Sequence, residues 1–183
     1  MKIMTNFKFF GREFDFAIRS QPARTREMLG ITNLCKDGKW IVFMDFDGFK
    51  QEWLEIIVPQ LQRLYGLSDA FLFKSSEHGF HLLTFDKLGI KKLVEVLRSA
   101  TCDPNYVFVP LRYGLRLWTL RQNEKNGHKP EFIKVFKRLG LTPKYQRSLA
   151  HMIAFEKLYD IKIDKFYNDG LEDFVVVSGY EVA

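Results

Sequence analysis

The chain reads as a single α+β domain of residues 1–183, a mixed or antiparallel sheet flanked by helices. Short apolar runs rich in strand formers come in pairs separated by tight polar turns. Single helical stretches stand between those pairs, an order that points away from a doubly wound parallel sheet. The 183 residues hold no internal repeat, low-complexity linker or composition shift, and suffice for one well-cored domain.

In chain order, residues 40–46 (WIVFMDF) form a short apolar run rich in strand formers, as expected of a buried strand. Trp53, Ile57, Leu61 and Leu64 follow at helical spacing, with Pro59 expected to kink that helix or to start a second segment. Residues 70–74 (AFLFK) and 80–85 (FHLLTF) predict two strands joined by the polar turn 75–79. Asp86 is placed to cap the next helix, whose Ile90, Leu93, Val94 and Leu97 repeat at i, i+3, i+4 and i+7. Residues 106–109, 115–120 and 132–136 are further strand candidates. Thr142-Pro143, a hydroxyl cap followed by proline, predicts a helix running to about Tyr159, and residues 174–177 (FVVV) a closing strand.

Composition narrows the function classes. Hydrophobic residues make up 46% and charged residues 27%, with 18 Phe, so disorder and fibrous repeats are excluded. A net charge of +6 favours an anionic partner, nucleic acid above all. Cys35 and Cys102 form neither a CxxC pair nor a zinc spacing, which fits a reducing cytoplasm better than a disulfide scaffold. No run approaches the ~20 apolar residues of a membrane span, and residues 1–15 lack a signal-peptide core. The expectation is a soluble, cytoplasmic protein with no membrane partner.

The chemistry concentrates in Phe43-Met44-Asp45-Phe46-Asp47-Gly48. On a strand, positions i and i+2 share a face, so Asp45 and Asp47 project together. Two carboxylates that close stay ionised only with a compensating cation, and Mg²⁺ or Mn²⁺ with its oxygen ligands is the usual choice. The competing reading is a strand end with solvated aspartates. About thirty residues on, Ser75-Ser76-Glu77-His78-Gly79-Phe80-His81 places an imidazole at the start of a returning strand. His81 there suits a phosphate contact or a proton carrier, and Ser76 with the turn's N–H groups suits an anion.

An apolar strand ending in Asp-x-Asp, a helix, then Ser-x-x-Gly-x-His entering a strand resembles the archaeo-eukaryotic primase superfamily of primase-polymerases. The resemblance runs from Trp40 to about Gly127. It implies a primase-polymerase-like α+β fold and a nucleotidyltransferase that adds nucleotides to a 3′-hydroxyl by two-metal catalysis. Asp45 and Asp47 would hold the Mg²⁺ or Mn²⁺ ions, and Asp103, in Cys102-Asp103-Pro104, would be the third catalytic ligand. His81 and Ser76 would contact the nucleoside triphosphate. Arg116, Arg121 and Lys125 would be further phosphate contacts, from the stretch Leu115-Arg116-Leu117 to Lys125-Asn126-Gly127. Implied partners are a DNA or RNA template and primer, nucleoside triphosphates, and optionally a helicase or accessory replication protein. The chain departs from the family's Ser-Gly-basic-Gly turn by carrying Glu77 and His78, and its two cysteines cannot build the zinc site of replicative primases.

Three other readings compete. The weakest is a relaxase-type endonuclease with paired histidines and a tyrosine nucleophile, against which His78 and His81, three apart on a strand, would face opposite sides. Asp45-Phe46-Asp47-Gly48 also resembles the first motif of haloacid-dehalogenase phosphatases, with Asp45 as nucleophile, residues 71–75 as a strand-then-serine motif and Asp169 with Asp173 as a distal acidic pair. There, however, Thr or Val is expected where Phe49 stands, and the Gly79–His81 hairpin has no role. The third is a catalytically degenerate primase-like subunit that binds nucleic acid, which Glu77 favours.

Overall fold

A computed structural model describes residues 2–9, 12–19, 26–114, 116–124, 127–138, 144–163 and 177–182. The chain divides into two compact units, Met1–Glu27 with Tyr180–Ala183, and Met28–Gly179. The first contains an antiparallel hairpin of β1 (Lys2–Phe9) and β2 (Arg12–Arg19), in register from Lys2↔Arg19 to Phe9↔Arg12. Its sequence signal was available: Phe14, Phe16 and Ile18 alternate with Glu13, Asp15 and Ala17.

The remaining elements are β3 (Arg26–Thr32), β4 (Trp40–Asp47), α1 (Gln51–Tyr65), β5 (Ala70–Lys74), β6 (Gly79–Leu88), α2 (Ile90–Ser99), α3 (Pro104–Arg112), β7 (Thr119–Arg121), β8 (Glu131–Phe136), α4 (Leu149–Tyr159) and β9 (Val177–Val182). A four-stranded antiparallel sheet in the order β4-β6-β5-β8 organises the second unit. β3 pairs antiparallel with β7, from Gly30↔Arg121 to Thr32↔Thr119. The chain is therefore α+β, as its paired strand runs predict, and of the mixed and antiparallel alternatives the described strand pairs are antiparallel.

The two-residue side-chain period of β4 divides the core. Val42, Met44 and Phe46 pack with Leu54, Val58 and Leu61 of α1 and with Leu93, Val96 and Leu97 of α2. Ile41 and Phe43 pack in the other cluster, with Ile31 of β3, Phe71 of β5, Leu83 and Phe85 of β6, and Met152 and Phe155 of α4. Burial on both faces explains why β4 reads as a nearly unbroken apolar run. Asp45 and Asp47 follow Ile41 and Phe43 in this alternation and share their face. That face passes from apolar to acidic within one strand.

Several elements depart from the sequence-based expectations. Residues 106–109 lie inside α3, not in a strand. Asp103 is the N-cap of that helix, its Oδ1 accepting from the Asn105 N–H at 3.1 Å, and Pro104 is its first residue. Asp86 caps nothing: the N-cap of α2 is Gly89, and Asp86 lies within β6, where its Oδ2 accepts from the Ser68 N–H and hydroxyl. Leu115 lies outside the described residues; of residues 116–120, only Thr119 and Leu120 join a strand, and Arg116 takes a left-handed φ of 50°. The last helix starts at Leu149, after Ser148, because Arg147 forms a bridge to Asp86 on the sheet. Thr142-Pro143 lies outside the described residues, as do residues 174–176. Pro59 is accommodated within α1, which runs unbroken from Gln51 to Tyr65. Among the described residues, no helix is long and apolar enough to cross a membrane.

Asp86 is fully buried, and burial pushes its carboxyl pKa up, against the Ser68 hydrogen bonds and the Arg147 charge. A raised folded-state pKa means that this group favours folding most below its unfolded pKa, and that the contribution is lost as pH rises through the folded pKa. Asp86→Asn removes that dependence. Urea midpoints at pH 4 and pH 7 should therefore show the wild type gaining on Asp86→Asn as pH is lowered.

Candidate active site

The site is assembled by strand register. In the β4–β6 pair Asp45 lies opposite His81 and Asp47 opposite Gly79; in the β5–β6 pair His81 lies opposite Phe73. One row across the sheet thus reads Asp45, His81, Phe73. His81 Nε2 stands 3.6 Å from Asp45 Oδ1, beyond ordinary hydrogen-bond distance. Burial lowers the His81 pKa to about 3, with Arg121 adding to the shift, so the imidazole is neutral near pH 7. A neutral His81 does not neutralise Asp45.

Gly48 ends β4 with a left-handed φ of 75°, and its N–H donates to the His78 carbonyl at 2.7 Å. This bond ties the acidic strand end to the 75–79 turn. Within the turn, the Ser75 N–H donates to the Gly79 carbonyl at 3.0 Å. A β-carbon on Gly79 would stand 2.6 Å from Ser76 Oγ, 2.9 Å from Ser75 Oγ and 3.1 Å from Asp47 Oδ1. The turn's two hydroxyls and the second carboxylate therefore converge on the space that glycine leaves open.

Asp45, Asp47, Ser75, Ser76, His81 and Arg121 line a cleft of about 690 Å³ together with Tyr106, Thr119 and His128. Arg121 reaches it from β7. Its guanidinium donates to the Ser75 carbonyl at 2.8 Å, to the His128 carbonyl at 3.0 Å and to the Asn123 carbonyl, bracing the turn against β7. Three bonds leave part of its five-donor fork for a ligand. Burial lowers the Arg121 pKa while Asp45 opposes that shift. Glu77 and His78 also line the cleft and form an exposed 3.7 Å pair at the turn's tip. Among the described residues, the carboxylates of Asp45, Asp47 and Glu77 and the guanidinium of Arg121 line the same cleft.

Among the described residues, no three His, Cys, Asp or Glu side chains gather into a closed metal cage. Asp45 and Asp47 instead form a two-carboxylate edge on an open cleft. That donor set fits Mg²⁺ or Mn²⁺, which are held by one or two carboxylates together with substrate phosphates.

Asp103 is beside this edge without lining the cleft. Its N–H donates to the Asp45 carbonyl at 3.0 Å. Its side chain caps α3 and lines an adjoining depression of about 480 Å³ with Asp47, Arg98 and Phe108. Asp47 is common to both hollows. Arg116 is not among the lining residues; its carbonyl accepts from Trp40 Nε1 at 2.7 Å and its side chain is exposed. Lys125, Asp169 and Asp173 lie outside the described residues.

Sequence reasoning left Tyr106, Thr119 and His128 out of the site. Tyr106 had a legible signal: Asp103-Pro104 is an N-cap followed by proline at the first helical position, which turns residues 104–112 into a helix crossing the strand end. Thr119 and His128 had none, since their proximity comes from long-range pairing.

Comparisons with known protein families, with curated proteins and with solved structures find no match for this chain.

The close approach at Gly79 yields a direct test. Gly79→Ala should destabilise the chain by roughly 1–3 kcal/mol in urea unfolding, as overpacked sites do. It should also weaken Mn²⁺ binding in a titration, because the new methyl displaces Asp47. Unchanged Mn²⁺ affinity would place the cation site away from Asp47.

Proposed function

We propose that this chain is a metal-dependent nucleotidyltransferase of the primase-polymerase type, extending a 3′-hydroxyl on a DNA or RNA template with nucleoside triphosphates in the cytoplasm. The observation that carries the reading is the pairing of Asp45 with His81 across β4 and β6, with Asp47 on the same face, in one cleft with the serine turn and Arg121. The pattern that resembles primase-polymerases in sequence is thereby supported by its spatial arrangement. The antiparallel order β4-β6-β5-β8 supports it over a doubly wound phosphatase sheet.

In this reading Asp45 and Asp47 hold Mg²⁺ or Mn²⁺, and Asp103, which lines a depression together with Asp47, is the candidate third ligand. The ion, when bound, lowers the pKa of the attacking hydroxyl and stabilises charge at the α-phosphate. His81, neutral and buried, offers one N–H donor to a phosphate oxygen without adding charge beside the metal carboxylates. Ser76 and Arg121 supply further donors. The exposed Arg116, with Lys125, serves the phosphates of template or nucleotide, so binding should weaken with salt. A helicase or accessory replication protein is a compatible partner.

Template-dependent incorporation of labelled nucleotide with Mg²⁺ or Mn²⁺ is the deciding assay. Asp45→Ala and Asp47→Ala should each lower incorporation by about 100-fold or more, the loss of several kcal/mol of transition-state stabilisation. Their urea midpoints should stay level or rise, because carboxylate repulsion is relieved. Wild-type protein that binds nucleotide without incorporating it would indicate the degenerate binding subunit. Full activity in Asp45→Ala would remove the primase-polymerase reading.

A further inference from the structure

The floor of the cleft holds a polar group with no assigned role. The Tyr106 hydroxyl is buried and has no hydrogen-bond partner among the described residues, although Tyr106 lines the cleft with Asp45, His81 and Arg121. A buried tyrosine hydroxyl ordinarily finds a partner, and one left without it carries its full desolvation penalty. Burial, reinforced by Asp45 and Cys102, holds its pKa well above the ordinary tyrosine value, so the group remains a protonated donor.

Tyr106 is also fixed in place. The Asp103 N–H donates to the Asp45 carbonyl at 3.0 Å, which pins the start of α3 to the end of β4. One turn on, the Tyr106 carbonyl accepts from Trp118 Nε1 at 2.9 Å, and Trp118 is itself fully buried. Val107, the next residue, is buried in the core. The helix cannot rotate the phenol towards water without breaking these contacts. An anchored, unpartnered donor beside the acidic edge is what a ligand acceptor would satisfy.

We propose that the Tyr106 hydroxyl donates to a phosphate oxygen of a metal-bound polyphosphate, making Tyr106 a ligand-binding residue of the cleft. This rests on the reading of the cleft as a nucleotidyl-transfer site. Phosphate oxygens accept and never donate when ionised, and the remaining cleft groups match them. Arg121 and Ser76 offer donors, while Asp45 and Asp47 take the cation that a polyphosphate brings.

The test is Tyr106→Phe in the full chain, titrated calorimetrically with pyrophosphate and with a deoxynucleoside triphosphate, each in Mg²⁺. Urea unfolding without ligand is measured alongside. The expected result is an unliganded midpoint equal to or above wild type, because an unpaired buried hydroxyl has been removed. Affinity for both probes should fall by about 10-fold or more, the usual loss for a hydrogen bond to a charged group. Wild-type affinity for pyrophosphate in the variant overturns the proposal. If nucleotide affinity alone falls, the hydroxyl meets the sugar or base; if neither falls, it is merely buried. A clearly lowered unliganded midpoint also overturns it, by revealing a structural partner. Wild-type protein that binds neither probe removes the nucleotidyl-transfer reading, and this proposal with it.

Discussion

The antiparallel register of β4 on β6 is the constraint on which the rest depends. Because side chains alternate faces along a strand, a slip of one residue would turn Asp45 and Asp47 into the apolar cluster under α1 and α2. The register is held by apolar residues on both sides of the sheet. Met44 lies opposite Leu82 and Phe46 opposite Phe80 on one face, Phe43 opposite Leu83 on the other. Each such side chain contributes about 1.5–3 kcal/mol when fully buried, so a slipped register would forfeit several of these at once. The core thus fixes which residues the cleft receives.

The electrostatics follow from that placement. His81 is carried into the sheet by the same pairing, and burial keeps it neutral. Had it stayed charged, it would have formed an internal ion pair with Asp45 and left less need for an external cation. Arg121 is the permanent cation of the cleft, and it is partly engaged in bracing backbone carbonyls of Ser75, Asn123 and His128. The acidic strand end lines the cleft beside that guanidinium. Two carboxylates on an open cleft, with no closed cage of ligands among the described residues, are the donor set for the proposed divalent ion.

The junction of β4 with α3 links fold and site. A backbone bond from Asp103 to Asp45 joins an N-cap to the strand end, and Trp118 holds the helix from the other side. Asp103 therefore has a structural duty at the position where a third carboxylate was expected. A single capping oxygen leaves the second free to act elsewhere, so the two duties are chemically compatible.

Much of the sheet was legible in the sequence. Predominantly apolar runs at 40–46, 70–74 and 80–85 mark strands buried on both faces, and the Asp45-x-Asp47 spacing marks a shared face from local geometry alone. The class, α+β, follows from paired strand runs interrupted by single helices, while the same runs leave strand direction open between mixed and antiparallel. The misread segment, residues 106–109, shows where local rules compete. Val107, Phe108 and Val109 favour a strand, but Asp103-Pro104 begins a helix, and the capping bond with the tertiary contacts of Tyr106 and Trp118 prevailed over propensity. Which distant residues join the cleft was decided only by tertiary structure. Arg121 enters it because β7 pairs with β3, and Arg116, five residues earlier, stays outside because its backbone turns through a left-handed φ. Sequence patterns encode the face of a strand, set by a two-residue period; they do not encode which strand or helix arrives from far along the chain, because that is chosen by packing.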